Sequence, residues 1–344
     1  MEHLGLVGLP DSGHGALFSA LTGLDEPGGF EPVKGVAPLP DERVDRLGEM
    51  SESKKLVHAT FEIDYIPGVA PGGKAGEGLG SKLLGSLRDC DAILFVLRSS
   101  SPTTGDVDPA DDLATLEYEL VLADLVSVEQ RLDKQRRAMK GDKSLAPEVA
   151  ALERAQAELG DGTPVYRSAL TADERELLTP VFLLTNKPVL SVVNLDEDRL
   201  GEADAVAAAV GEGALAVCVD VEAQIAGLEP DDRAEWLETY GISESVLPRL
   251  ARNAYHLLGR RTFLTTGDTE SRAWSFRAGA KAPECAGVIH SDLERGFIRA
   301  EVIDWRELLD IGSWAKAKEQ GKLRVEGKDY EVADGDVLEI RFNV

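Results

Sequence analysis

Residues 4–22 constrain the fold more than any other stretch of this chain. Leu4-Gly5-Leu6-Val7-Gly8 reads as a buried strand and runs straight into a glycine-bearing loop, residues 9–15. Ala16-Leu17-Phe18-Ser19-Ala20-Leu21-Thr22 follows, with apolar positions that suit a helix. Strand, glycine loop and helix in that order open a βαβ unit. Two later runs, 92–97 and 189–193, are almost continuously apolar, as strands covered on both faces of a parallel sheet are. The first expectation is an α/β domain built on a mostly parallel sheet.

Between those two runs the texture changes. Leu113, Leu116 and Leu120, then Leu125, Val128 and Leu132, fall three and four apart, and Leu145, Val149, Leu152 and Leu159 resume after Gly141-Asp142. The spacing predicts two long antiparallel helices, a coiled-coil-like hairpin inserted over 112–178. Its first helix ends in Arg131, Lys134, Arg136, Arg137, Lys140 and Lys143. Such a run is ordinarily a solvated face; here it is also the place best suited to touch RNA. From about 262, alternating segments (273–277 and 337–342), a turn at 333–336 and one helical stretch at 305–318 suggest a small mixed α/β module.

Charge narrows the function classes. Asp and Glu outnumber Lys and Arg 62 to 37, a net charge of -25, which excludes a globally basic nucleic-acid coat but not a local basic patch. The 3 cysteines (Cys90, Cys218, Cys285) are far apart, so neither a disulfide framework nor a zinc site is expected. No apolar run approaches a membrane span, and residues 1–10 do not read as a signal peptide. A cytoplasmic protein without a membrane partner is expected. The histidines show no metal-ligand spacing, and no G-x-S-x-G elbow indicates a hydrolase nucleophile.

The opening loop has the outline of a P-loop without its chemistry. A working P-loop reads G-x-x-x-x-G-K-[ST]: backbone N–H groups wrap the phosphates, Lys neutralises the β/γ charge, and the hydroxyl binds Mg²⁺. Here the stretch is Gly8-Leu9-Pro10-Asp11-Ser12-Gly13-His14-Gly15, followed by Ala16. Both glycines stand at the right spacing. His14 takes the Lys position, where a largely neutral imidazole places no fixed charge. Gly15 takes the hydroxyl position and offers no ligand, while Asp11 adds negative charge to the cradle.

These motifs resemble the YchF-type proteins, ribosome-associated ATPases in the Obg branch of the P-loop GTPases. Gly5-Leu6-Val7-Gly8-Leu9-Pro10, Gly76-Glu77-Gly78-Leu79-Gly80, Lys187-Pro188-Val189-Leu190 and Asn194-Leu195-Asp196-Glu197 carry the likeness. So do Arg272-Ala273-Trp274, residues 286–292 (AGVIHSD), residues 296–302 (GFIRAEV), Gly327-Lys328-Asp329-Tyr330 and Arg341-Phe342-Asn343-Val344. The resemblance spans nearly the whole chain. It implies a P-loop NTPase-like domain over 1–111 and 179–261, the helical insertion over 112–178, and a C-terminal TGS domain, ubiquitin-like α+β, over 262–344. It implies adenine nucleotide as ligand and the ribosome (large subunit) or RNA as partner.

The departures bear on activity. The family's switch-I Thr, which reaches Mg²⁺, aligns with Gly29, and its switch-II Asp, anchored on Gly68, aligns with Tyr65; Val69, by contrast, matches the hydrophobic residue the family carries where classical GTPases use a catalytic Gln. Asp64 is one residue early, which in a strand turns the side chain to the opposite face. Four changes in separate segments imply that Mg²⁺ binding and hydrolysis are lost. The base-reading motif survives: Asn194-Leu195-Asp196-Glu197 fits the family's N-x-x-E, associated with ATP, so weak binding of ATP, or of GTP, is expected through Asn194, Leu195 and Glu197. Three readings stay open: a pseudo-NTPase binding module, an active ATPase using His14 and a shifted Asp64, and a nucleotide-independent ribosome or RNA scaffold.

Overall fold

The computed structural model describes residues 3–29, 31–67, 81–102, 105–228, 230–240, 242 and 244–343. In chain order the elements are β1 (His3–Gly8), α1 (His14–Thr22), β2 (Val33–Leu39), α2 (Glu42–Met50), β3 (Leu56–Val57), β4 (Ala59–Tyr65) and α3 (Ser81–Asp89). Next come β5 (Ala92–Arg98), β6 (Ser100–Ser101), β7 (Gly105–Asp106), α4 (Pro109–Ala138), α5 (Ala146–Gly160) and α6 (Ala172–Leu177). Then follow β8 (Val189–Asn194), α7 (Ala203–Val210), β9 (Leu215–Val217), α8 (Val219–Ala226), α9 (Pro230–Thr239) and α10 (Leu247–Leu257). The chain closes with β10 (Arg260–Thr265), β11 (Ser271–Arg277), α11 (Ala282–Ile289), α12 (Ser291–Arg295), β12 (Phe297–Asp304), α13 (Trp305–Ile311), α14 (Trp314–Glu319), β13 (Arg324–Glu326) and β14 (Asp336–Phe342).

Two compact units result, one of residues 1–35 and 62–250, the other of 36–61 and 251–344. The first is organised by a sheet of order β2-β4-β1-β5-β8-β9. Its β1–β4, β1–β5, β5–β8 and β8–β9 pairs are all parallel. The apolar runs at 92–97 and 189–193 are thus adjacent central strands. Ile93, Phe95 and Leu97 share a core with Val193 and with Leu113, Leu116 and Leu120 of α4.

α4 is well specified at both ends. Asp108 caps it by accepting from Ala110 N, Pro109 sits in its first turn, and Arg136 and Arg137 face the negative end of its dipole. Its later residues Val128 and Leu132 pack on Val149, Leu152 and Ala155 of α5, so the chain doubles back there. The two helices are unequal, at 30 and 15 residues. Beyond Gly160 the return path is short turns and α6 rather than a second long helix. Asp124, fully buried on α4, ties that return path down: it accepts from Leu184 N (2.9 Å), Thr185 N (2.7 Å) and Thr185 Oγ1 (2.8 Å).

The second unit carries a sheet of order β13-β12-β14-β10-β11-β3. Its core gathers Phe263, Phe276, Cys285, Phe297, Val302 and Leu338. The helical stretch at 305–318 breaks into α13 and α14 at Gly312, whose φ of 86° is the left-handed conformation that ends a helix. Residues 36–61 belong to this unit, although the texture of the sequence places its start at 262. Arg43 of α2 holds Asp41 (2.7 Å), Asp334 (2.8 Å) and Thr262 Oγ1 (2.6 Å), and β3 pairs with β11.

Candidate functional site: the glycine loop and its surroundings

The loop between β1 and α1 holds its shape through contacts within the protein. Asp11 adopts φ 64° and Gly13 φ 76°, two left-handed residues that turn the chain back onto α1. Ser12 is fully buried beneath the loop, and a Cβ on Gly8 would meet its Oγ at 2.2 Å. A Cβ on Gly13 would meet Asn194 Nδ2 at 2.4 Å. Asn194 stitches three segments: its Nδ2 donates to Ser12 O (3.2 Å), and its Oδ1 accepts from Val219 N (3.1 Å) at the start of α8. Arg98, at the end of β5, donates to Pro10 O (3.3 Å) and is clamped by the buried Asp112 (2.7 and 2.8 Å). Both glycines are thus demanded by the loop's own packing.

His14 is packed as an apolar ring. Only 7% of it is exposed; its Nδ1 is hydrogen-bonded to Ser12 Oγ at 2.9 Å, and it stacks on Tyr65 with ring centres 5.0 Å apart and planes 12° off parallel. Its Nε2 is buried with no hydrogen-bond partner among the described residues. Burial lowers its pKa to about 4, the nearby Ile66 backbone opposing that only in part, so the ring is neutral at pH 7. Beside it, a Cβ on Gly15 would meet the Glu26 carboxylate at 2.8 Å. Burial, and after it that carboxylate, raises the Tyr65 pKa. Gly13 stands at the N-cap of α1, which has no side-chain cap and no acidic residue in its first turn.

The register settles which way the neighbouring carboxylate points. Gly5 lies opposite Asp64 and Leu6 opposite Tyr65 in the β1–β4 pair. Tyr65 turns toward the loop, touching His14 and Phe18. Asp64 turns away and is held by Lys34 Nζ (3.2 Å) and His3 Nδ1 (3.4 Å). A shifted Asp64 acting at the loop is therefore corrected: the side chain is committed on the opposite face. Gly29 is exposed and brings no side chain. Gly68 and Val69 lie outside the described residues. Among the described residues no group of three or more His, Cys, Asp or Glu could hold a metal ion. The described residues at these positions, His14, Gly15, Gly29 and Tyr65, do not fit Mg²⁺ held by hydroxyl and carboxylate oxygens.

The base-motif residues stand at the carboxyl end of β8. Leu195 is buried, with its N–H on Val217 O (2.8 Å), while Asp196 takes a hydrogen bond from Ser100 Oγ (2.8 Å) and Glu197 is exposed. Asn194 and the loop meet directly, so the structure brings the two motifs together. The basic cluster lies elsewhere, around the α4–α5 turn, and is not uniform. Arg131 pairs with Glu148 (2.7 Å) and Arg136 with Glu153 (2.8 Å), whereas Lys134, Arg137, Lys140 and Lys143 are without an ion pair among the described residues. Arg98, Asp112 and Glu26 went unread in the sequence because they reach the loop from distant segments with no motif of their own. Cys90 and Cys218 are buried, and burial pushes the Cys90 thiol up to about 12.

Comparison with known proteins agrees with this architecture. A family model described as "YchF-GTPase_C: Protein of unknown function (DUF933)" matches residues 261–343. The "Ribosome-binding ATPase YchF" of Bacillus subtilis is 41% identical over 361 aligned residues, covering 99% of each chain. Its namesake in Escherichia coli O157:H7 is 38% identical, again over 99% of both. Among solved structures, the Schizosaccharomyces pombe YchF GTPase superposes with a TM-score of 0.85 at 27% identity, covering 99% of this chain and 97% of the other.

Proposed function

The chain belongs to the YchF family of ribosome-binding ATPases, and we propose that it is a ribosome-associated member whose Mg²⁺-dependent hydrolysis has been lost. The observation that carries this reading is the His14–Tyr65 stack, at 5.0 Å, in the place where a lysine and a metal-linked aspartate would work. A neutral ring neither neutralises β/γ-phosphate charge nor orients a metal, and Gly15 and Gly29 add no ligand. The Asn194–Glu197 motif favours adenine nucleotide, bound weakly because the triphosphate charge goes uncompensated. Contact with the large ribosomal subunit or its RNA is assigned to Lys134, Arg137, Lys140 and Lys143, alongside residues 262–344, read as a TGS domain. The setting is the cytoplasm, in line with the ribosome-binding relatives.

Titration of the full chain with ATP by calorimetry, with and without Mg²⁺, tests this. Weak binding that ignores the metal, with no phosphate release, is the expected result. Tight, Mg²⁺-enhanced binding with turnover would overturn it. A second reading, a nucleotide-independent scaffold, is favoured by one observation: Gly8 and Gly13 are both required by contacts with Ser12 and Asn194, so the loop needs no ligand to explain its glycines. Absence of any ATP binding would select that reading.

A further inference from the structure

α4 exposes an apolar ridge that the loop, the sheet and α5 all leave uncovered. Ala114, Tyr118, Leu122 and Val126 follow one another at steps of four from Ala110, and Tyr118, Leu122 and Val126 are exposed by 57%, 41% and 53%. Steps of four form one of the side-chain rows along which a second helix packs. The ridge runs about 24 Å at 1.5 Å per residue. At its amino end Pro109 and Ala110 meet Ala205, Val206, Ala209 and Val210 of α7 around a groove of about 300 Å³. A scattered exposed Leu needs no explanation, but an apolar row continuous with an apolar groove marks a docking surface.

The charges around the ridge say what it fits. From Pro109 to Gln130 α4 contains no Lys or Arg, yet it carries Asp111, Glu119 and Glu129 beside the ridge, with Asp108 at the groove. Among the described residues, three cations near α4 are already engaged. Arg199 holds Glu202 (2.9 Å) and Ser99 O (3.2 Å), Arg167 holds Glu117 (2.9 Å), and Arg88 donates to Ser127 Oγ (3.0 Å). A second copy of the chain would bring acidic rim against acidic rim. We propose that this ridge and groove receive a basic amphipathic helix from a partner protein, its apolar face on Tyr118, Leu122 and Val126 and its lysines or arginines on the acidic rim. The site is separate from the glycine loop and stands whether or not nucleotide binds there.

The probe is a fluorescein-labelled 18-residue peptide with leucines three and four apart and lysines elsewhere, followed by anisotropy against the full chain. Binding is expected, weakened at least tenfold in a Tyr118→Ser, Leu122→Ser, Val126→Ser variant whose circular dichroism and unfolding midpoint match the parent. A peptide of the same pattern with glutamates for lysines should not bind. Equal binding of a lysine peptide with scrambled leucines would overturn the proposal, because net charge alone would explain it. Unchanged binding by the triple-serine variant would overturn it too. So would a parent chain that is dimeric by light scattering and made monomeric by those serines, since a second copy would then cover the ridge.

Discussion

His14 shows how one substitution at a loop changes the electrostatics of its surroundings. Its pKa of about 4 in the folded chain lies below the ordinary 6.5. Between those values the unfolded chain binds a proton that the folded one refuses, so folding stability falls as pH drops from 6.5 toward 4 and levels off below. Linkage makes the loss about 2 kcal/mol between pH 7 and pH 5. Carboxylate titration overlaps this window, so the measurement is a comparison. Urea melts at both pH values should show the parent losing about 2 kcal/mol more than a His14→Asn variant. A constant difference between the two proteins would mean that the ring is solvated and the stack on Tyr65 is not formed. The adjacent Asp64 makes the complementary point. Its one-residue offset was legible from the sequence, and period-two alternation alone assigned it to the far face, where Lys34 holds it.

Elements were legible where burial is one-sided or complete. The strands at 92–97 and 189–193 stand out because a strand covered on both faces has few polar positions to interrupt it, here only Ser191. α4 was legible from its three-and-four spacing, but the return path after Gly160 was not, because its geometry rests on Asp124 and the backbone of Leu184 and Thr185, about sixty residues away. Burial raises the Asp124 pKa, its three donors opposing that. Removing the carboxylate leaves two buried N–H groups without an acceptor, so Asp124→Ala should cost about 2–4 kcal/mol in a urea melt. Asp124→Asn, which keeps one acceptor oxygen, should cost less. The turn beyond α4 carries a different prediction. Replacing Lys134, Arg137, Lys140 and Lys143 together with glutamine should weaken ribosome co-sedimentation and lower its log–log salt slope by about 3, since each phosphate left without its cation removes ~0.7. Glutamine at Arg131 and Arg136 should change that slope much less, since their guanidinium groups already face Glu148 and Glu153. Equal effects from both sets would mean that the pairs open on the ribosome.

At the scale of the whole molecule, the chain is threaded so that neither compact unit is a continuous segment. Residues 36–61 leave the first unit within β2, build α2 and β3 into the second, and return within β4. Nothing local announces this, because the partners of 36–61 lie more than two hundred residues downstream: Thr262, Ser271 and Asp334. The second unit therefore depends on Arg43. Its guanidinium is largely enclosed between Asp41 and Asp334, which hold its pKa above the ordinary arginine value although burial opposes them. Truncating it leaves two carboxylates facing each other with no cation between them. Arg43→Ala should destabilise the second unit by about 3–5 kcal/mol, the range for breaking a largely buried pair. Amide exchange gives the decisive readout, because it resolves the units separately. Faster exchange in β10, β11 and β14, with β1, β5 and β8 unchanged, is the expected pattern. Uniform acceleration across both sheets would show that the units unfold as one, and unchanged exchange in β10 would show that 251–344 holds its sheet without α2.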